Sequence, residues 1–197
     1  YKAMVATGLL IVAAGLALLS TATVESGYGL ILVVIVTMGV GIGLAMTPAT
    51  DSIMGSLPRE KAGVGSAVND TTREVGGALG VAILGSLLAA SYHSSMDSSA
   101  AVHSLPASAA SVAHDSLGGA VQVAGRLGTA GQSVVADAAR AFVDAMSSTV
   151  LVAAAVAVVG ALVALIWLPS RAAAPATEAA DELETEALLD AELVGVD

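Results

Sequence analysis

Four long apolar blocks most constrain how this chain folds. They lie at about 3–20, 28–54, 62–92 and 149–168 of the 197 residues. A helix needs about 20 apolar residues to cross the roughly 30 Å hydrocarbon core of a bilayer, and backbone polar groups cannot stay unpaired there. Because the blocks are too long for strands and do not alternate, the sequence predicts an all-α integral membrane protein with four transmembrane helices.

The composition supports a membrane protein and argues against other classes. Hydrophobic residues make up 56% of the chain and charged residues only 12%, whereas soluble domains have about 25% charged residues. Aromatic residues are scarce at 3% and the formal net charge is −10, so nucleic acid is not an expected partner. The sequence contains no cysteine, which excludes disulfide and thiol chemistry among these residues and leaves the redox compartment open.

Basic residues predict how the four helices are oriented. They flank the apolar blocks at alternate ends: Lys2, Arg59, Lys61 and Arg171. An alternating path places all four on one side of the membrane, which the positive-inside rule assigns to the cytoplasm. We therefore expect a transmembrane unit over 1–169 and a disordered, acidic cytoplasmic tail over 170–197.

The segment between the third and fourth blocks, 93–148, is expected to be a long amphipathic outer loop. Apolar residues recur there at helical spacing: Val102, Leu105, Ala109, Val112, Ala113 and Leu117, then Val134, Val135, Ala138, Ala139, Phe142, Val143 and Met146. Pro106 suits a helix start, and the second stretch continues into the fourth block. We expect one or two helices on the outer membrane surface, acting either as a lid for substrate or, more commonly, as an interfacial packing element.

The third apolar block is unusual because charged residues stand near its beginning. On a helical wheel, Asn69, Asp70, Arg73 and Glu74 share one side, which we call the polar strip. Bulky aliphatic residues fall on the opposite side, where they would face lipid: Val64, Val68, Val75, Leu79 and Ile83. A helix that enters the membrane near Ala62 places Asp70 about 12 Å along its axis, inside the hydrocarbon core.

Charges at this depth are costly and need either partners or a function. Asp70 and Arg73 have the spacing of an ion pair, whereas Glu74 has a like-charge spacing to Asp70. Because one arginine cannot neutralise both acids, either another basic residue contributes or one carboxyl group is protonated at rest. Two interpretations follow: the strip takes part in ion coupling or substrate binding, or it locks the cytoplasmic end of the helix.

Glycines indicate close helix packing in the second and third blocks. They are Gly39, Gly41 and Gly43 in the second block and Gly76, Gly77 and Gly80 in the third. Small residues allow membrane helices to approach closely. The first group is not a dinucleotide-binding fingerprint, because no predicted strand precedes it and its glycine spacing differs. Pro48 predicts a bend in the second helix, which is either part of a gate or an ordinary kink.

Residue patterns that would suggest enzyme or metal chemistry are absent from the sequence. His93, His103 and His114 match no metal-binding spacing. The sequence contains no phosphate-binding GxxxxGKS/T pattern and no Ser/His/Asp grouping at membrane depth. We therefore expect neither an enzyme nor a metal site.

The stretch from Gly39 to Tyr92 resembles the C-terminal part of the fourteen-helix drug:proton antiporters of the major facilitator superfamily, the EmrB/QacA type. The resemblance lies in the order of its parts: a glycine-rich helix, a proline, a short basic loop, the Asn-Asp and Arg-Glu pairs, and then GGALGVA. It implies that the chain is the last four helices of such a transporter in the cell membrane, with the C-terminus cytoplasmic and the N-terminal helices missing.

The resemblance also implies proton-driven export of drugs or other small, often cationic or amphipathic molecules, with no cofactor besides the proton gradient. The implied partners are the substrate, protons, the lipid bilayer and the missing helices. In multidrug members, acidic residues on the penultimate helix are associated with cationic substrates or protons, and Asp70 and Glu74 match those positions. Four helices cannot supply two facing repeats, so this part alone is not expected to transport. The alternatives are a dedicated exporter of one endogenous metabolite and a small four-helix membrane scaffold.

Overall fold

A computed structural model describes residues 2–55, 58 and 61–168, and every regular element in these ranges is helical. In this part of the chain the α-helices are α1 (Lys2–Leu19), α2 (Tyr28–Gly55), α3 (Ala62–Asp97), α4 (Ala100–His103), α5 (Ala107–Asp115), α6 (Leu117–Leu127) and α7 (Gln132–Trp167). A short 3-10 helix, Gly128–Gly131, joins α6 to α7. The predicted tail at 170–197, Arg59 and Arg171 lie outside the described residues.

Within the described ranges, four helices are long and apolar enough to cross a membrane, as the apolar blocks predicted: α1, α2, α3 and α7. Neighbouring helices run in opposite directions. Gly8 near the start of α1 lies against Gly41 and Ala45 of α2, whereas Gly15, later in α1, lies against the earlier Met38. The Ser147 hydroxyl on α7 donates to the Ser20 carbonyl oxygen, just after α1, at 2.6 Å. The start of α1, the end of α2, the start of α3 and the end of α7 therefore share one end of the molecule.

α1 and α2 approach closely because small residues line their contact. A β-carbon built on Gly41 would lie 2.7 Å from the Gly8 carbonyl oxygen, and one built on Gly8 would lie 2.6 Å from that of Gly41. Backbone thus meets backbone, which is the close approach that small residues allow in membranes. On α2 the buried positions Val34, Gly41, Ala45 and Pro48 form one face, and the helix continues through Pro48.

α7 connects the two halves of the structure through a stripe of mostly small residues. Its buried side chains are Val134, Ala138, Ala141, Ala145, Thr149, Ala154, Ala161 and Ala164. The beginning of α7 packs against the end of α3, and its later part packs against α1, where Gly160 faces Leu9. The buried Thr149 hydroxyl donates to the Ala145 carbonyl oxygen at 2.7 Å, so this face contains no unsatisfied hydroxyl at that position.

α3 and α7 are longer than the apolar blocks predicted. Each has 36 residues, which corresponds to about 54 Å at 1.5 Å per residue and exceeds the roughly 30 Å hydrocarbon core. α3 continues to Asp97 instead of ending near 92. α7 begins at Gln132 because the second amphipathic stretch of the outer segment continues into the fourth block, as its helical spacing predicted. Tyr92 and Met96, one helical turn apart, are buried against α7, and this contact stabilises both extensions.

The predicted outer loop is a compact helical cap, made of α4, α5 and α6, between the end of α3 and the start of α7. These elements share one core, in which Met96, Ala113 and Ala120 are 0% exposed. The apolar face of α6 is used for this core, through Ala120, Val123 and Ala124. The expected number of one or two helices was too low: three short helices lie between α3 and α7, and Pro106 separates the first of them from the second.

Local signals explain where the cap helices begin and end. The Ser99 and Ser116 hydroxyl oxygens accept hydrogen bonds from the backbone N–H groups of the first turns of α4 and α6. Pro106 directly precedes α5, as its fixed φ predicts. α6 ends at Gly128, whose φ of 60° lies in the left-handed region that favours glycine.

Met96→Ala is expected to destabilise the cap by about 2–5 kcal/mol, because it removes buried contacts and leaves a cavity. Met96 is 0% exposed in the cap core. Hydrogen exchange of the α5 and α6 amides in the full-length protein measures this effect. Val121→Ala is the matched control, since Val121 on α6 is 51% exposed. Equal amide protection in Met96→Ala and the wild type would contradict a cooperative cap core.

Candidate functional site

The part of α3 before the cap stands almost free of the rest of the described chain. Between Gly63 and Leu87 the only buried residue is Gly65. Exposure extends around the helix: Val75 is 53% exposed and Val81 is 76% exposed. Most of the surface of this part of α3 is therefore not covered by the other described helices.

The polar strip lies on this unaccompanied part of α3. Asn69 is half-buried, whereas Asp70, Arg73 and Glu74 are exposed. The last three line one open groove, so their side chains share a face of the helix, as the helical wheel predicted. The residues that line this groove all belong to α3. The groove is therefore open to contact with another helix or with water.

The expected ion pair between Asp70 and Arg73 is not formed. Among the described residues, the ion pairs are His114 with Asp97 and Arg140 with Asp137. The i, i+3 spacing brings the charges within reach, but exposed side chains lose conformational entropy on pairing and gain little from it. The strip thus presents two carboxylates and one guanidinium, a net charge of −1 when all three are ionised.

The predicted packing glycines separate into two groups. Gly41 is buried against α1, whereas a β-carbon on Gly39 or Gly43 would have nothing within 4 Å in the described chain. Residues two positions apart lie on different sides of a helix, which explains why the middle glycine alone of these three meets α1. The α3 glycines also have open space around them: Gly76, Gly77 and Gly80.

A second polar cluster joins α3 to the cap, and residue patterns alone hardly indicated it. The His114 Nε2 atom on α5 lies 2.9 Å from the Asp97 Oδ1 atom at the end of α3. The His114 ring also stacks on that of His93, with ring centroids 4.7 Å apart. The available signal was the i, i+4 spacing of His93 and Asp97, which places both on one face of α3; the partner on α5 depends on how the cap folds.

The sequence is similar to named efflux and resistance proteins. It is 34% identical over 163 residues to the multidrug efflux pump LfrA of Mycolicibacterium smegmatis, covering 80% of this chain and 32% of the relative. It is 32% identical over 185 residues to the tetracenomycin C resistance and export protein of Streptomyces glaucescens, covering 91% and 34%. It is 36% identical over 100 residues to the methyl viologen resistance protein SmvA of Salmonella typhimurium, covering 50% and 20%.

The chain spans about a third of the length of the first two of these relatives. No family model matches the chain, and no solved structure does. All three names denote efflux, export or resistance and none denotes an enzyme. Together with the four membrane-length helices among the described residues, these relatives show that the chain is a homologue of part of named drug efflux and export proteins, in agreement with the resemblance found in its sequence.

Proposed function

We propose that this chain forms part of a proton-coupled exporter of drugs or other small, often cationic or amphipathic molecules. The observation that carries the proposal is the polar strip on α3, a membrane-length helix whose charged face meets no other helix of the described chain. Intramembrane charges usually mark substrate or ion pathways. The names of the relatives support the direction of transport, since they denote efflux and export.

The two faces of α3 set its orientation in the assembled transporter. A charged residue at the centre of a membrane helix costs about 2.5–3.5 kcal/mol on insertion scales, so the polar strip is directed toward protein or water. The opposite face presents aliphatic side chains that suit lipid, among them Val64 at 61%, Val68 at 57% and Leu79 at 57% exposure. We propose that parts of the full-length transporter outside this segment cover the polar face, since the chain spans about a third of the relatives' length.

We assign proton or cation binding to Asp70 and Glu74. These two carboxyl groups are one helical turn apart and share a single neighbouring base, Arg73. When the strip is covered, Arg73 neutralises one carboxylate, and the other is stable only if it is protonated or paired with a cationic substrate. If a proton and a cationic substrate bind alternately at this second carboxyl group, entry of the proton is coupled to export of the substrate. Asn69 adds a neutral hydrogen-bonding amide to the same face.

A dedicated exporter of one endogenous metabolite is the second candidate. The tetracenomycin C resistance and export protein, which matches 91% of this chain, is named for a single compound. The charged face of α3 is compatible with either function, because it does not determine how many different substrates are transported. The relatives do not favour a scaffold without transport activity. Growth tests against a panel of unrelated toxic cations distinguish a broad exporter from a dedicated one.

The test of the proposed function is efflux of a cationic dye from cells that express the full-length protein and lack their own efflux pumps. We expect lower dye accumulation than in cells without the protein, and loss of the difference when an uncoupler collapses the proton gradient. Efflux that persists without the gradient would contradict proton coupling. Absence of efflux for every cationic dye in a panel, with the protein present in the membrane, would contradict multidrug export.

The proposed orientation places the cap outside the cell and the α2–α3 connection in the cytoplasm. We expect a cysteine at Ser104, exposed on the cap, to react with a membrane-impermeant thiol reagent in intact cells. A cysteine at Lys61, at the start of α3, is expected to react only after the cells are opened. Both variants are made in a full-length protein without other cysteines. The reverse labelling pattern would overturn the orientation.

A further inference from the structure

We infer that His93, Asp97 and His114 form a proton-sensitive latch that holds the cap on the end of α3. The histidine latch, as we call these three residues, joins two elements that are separate in sequence. Asp97 ends α3 and His93 lies one turn earlier on the same helix, whereas His114 lies near the end of α5. Both imidazole rings are half-buried at the junction, and Asp97 is exposed.

The hydrogen bond between His114 and Asp97 determines which ring nitrogen of His114 carries the proton. A carboxylate oxygen accepts, so the Nε2 atom of His114 is the donor to Asp97 at 2.9 Å. The Nδ1 atom of His114 is then the position that gains a proton in acid. The His93 ring lies across that of His114 at an interplanar angle of 23°, so any charge on one ring is close to the other.

The other charged groups on the helices around the latch form no ion pair with its residues in the described chain. Among the described residues these groups are His103 on α4, Asp115 on α5, Arg126 on α6, and Asp137, Arg140 and Asp144 on α7. His103, Asp115 and Arg126 are exposed and form no ion pair in the described chain. Asp137 accepts a hydrogen bond from Ser99 and lies 3.8 Å from Arg140. Among the described residues, Asp97 is thus the carboxylate that forms an ion pair with the stacked imidazoles, through His114.

One proton and two protons have opposite effects on this arrangement. A first proton on His114 converts its hydrogen bond to Asp97 into a charge-assisted ion pair, which tightens the contact between α5 and α3. A second proton on His93 places two positive charges on stacked rings 4.7 Å apart beside a single carboxylate, and their repulsion weakens the contact. Imidazole is the side chain whose charge ordinarily changes between about pH 5 and 8, so this is the range in which the contact is tested.

A second contact keeps the cap in place when the latch opens. The buried Tyr92 hydroxyl donates to the Ala113 carbonyl oxygen at 3.0 Å and keeps its proton throughout this pH range. Opening therefore loosens α5 without detaching it. Since the latch acts on the helix that bears the polar strip, acidity on the cap side would change the freedom of one end of α3. The latch itself does not depend on the transported compound.

Amide hydrogen exchange of α5 in the full-length protein tests the latch, at pH values of about 7.5, 6 and 5, with each rate divided by the intrinsic exchange rate at that pH. We expect protection of the wild-type α5 amides to rise from the first pH to the second and then to fall about threefold or more at the third. His93→Gln should keep the rise and remove the fall. His114→Gln should remove both.

His103→Gln is the matched control, because His103 is an exposed histidine on the neighbouring α4 and should leave the wild-type profile unchanged. Tyr92→Phe should lower protection equally at all three pH values, which shows that the measurement detects cap docking. Wild-type protection that does not vary with pH would overturn the inference. A fall that persists in His93→Gln, or disappears in His103→Gln, would also overturn it. The exchange experiment does not measure efflux. A failure of the latch inference can therefore be distinguished from a failure of the proposed transport function.

Discussion

Asp70→Asn is expected to reduce gradient-dependent efflux by the full-length transporter at least about tenfold while the amount of protein in the membrane stays the same. The substitution keeps the size and polarity of the side chain but removes the group that binds a proton or a cation. Asp70 is exposed on α3 and shares its groove with Glu74 and Arg73, so its removal leaves one carboxylate and one guanidinium, which neutralise each other. The site would then have no remaining charge to exchange.

Asp51→Asn is the matched control, because Asp51 is also an exposed acid at the same end of the molecule but lies on α2. It is expected to leave efflux within about twofold of wild type, as most surface substitutions have small effects. Glu74→Gln is expected to reduce efflux as Asp70→Asn does, since both acids share Arg73. Normal efflux in both strip variants would favour the alternative that the charges only lock the end of the helix.

Gly41→Leu is expected to destabilise the membrane region by about 3 kcal/mol, the upper part of the usual range for overpacking. A β-carbon at this position would lie 2.7 Å from the Gly8 carbonyl oxygen and 2.8 Å from the Val12 backbone nitrogen. Neither is the end of a flexible side chain, so α1 and α2 must move apart. The yield of folded full-length protein on gel filtration and its thermal midpoint measure the effect.

Gly43→Leu is the control for helix propensity, since the same residue is introduced on the same helix. A β-carbon on Gly43 would have nothing within 4 Å in the described chain. We expect a substantially higher thermal midpoint for Gly43→Leu than for Gly41→Leu. Equal destabilisation by the two substitutions would show that the α1–α2 contact is not the cause.

The membrane-length helices could be predicted because each is a long apolar block with an unambiguous physical consequence. α1 and α2 begin and end within a residue or two of the predicted bounds. Helical spacing predicted that the second amphipathic stretch continues into α7. The extension of α3 was harder to predict, since its stabilising contacts, Met96 and Val134 in one core, come from segments far apart in sequence. The packing of the cap also depends on contacts between segments far apart in sequence, although Pro106 predicted the start of α5.

The composition of the candidate site was predictable, but its contacts were not. Helical periodicity placed Asp70, Arg73 and Glu74 on one face, and they line one groove. The same periodicity allowed an Asp70–Arg73 ion pair that does not form, because spacing brings charges within reach without supplying the burial that makes pairing favourable. Likewise, Gly41 and Gly43 are equivalent in sequence, and only the position of α1 makes one of them a contact residue.

Thiol labelling on the two faces of α3 tests most directly whether the polar strip lines the substrate path. Ser66 and Val68 are both exposed in this chain, but Ser66 falls on the side of the strip and Val68 on the aliphatic side. In the full-length protein, we predict that a cysteine at Ser66 reacts with a water-soluble reagent and that a transported cation slows the reaction, while a cysteine at Val68 stays unreactive in lipid. Equal reactivity at both positions, or no protection by substrate at Ser66, would contradict a substrate path along the strip.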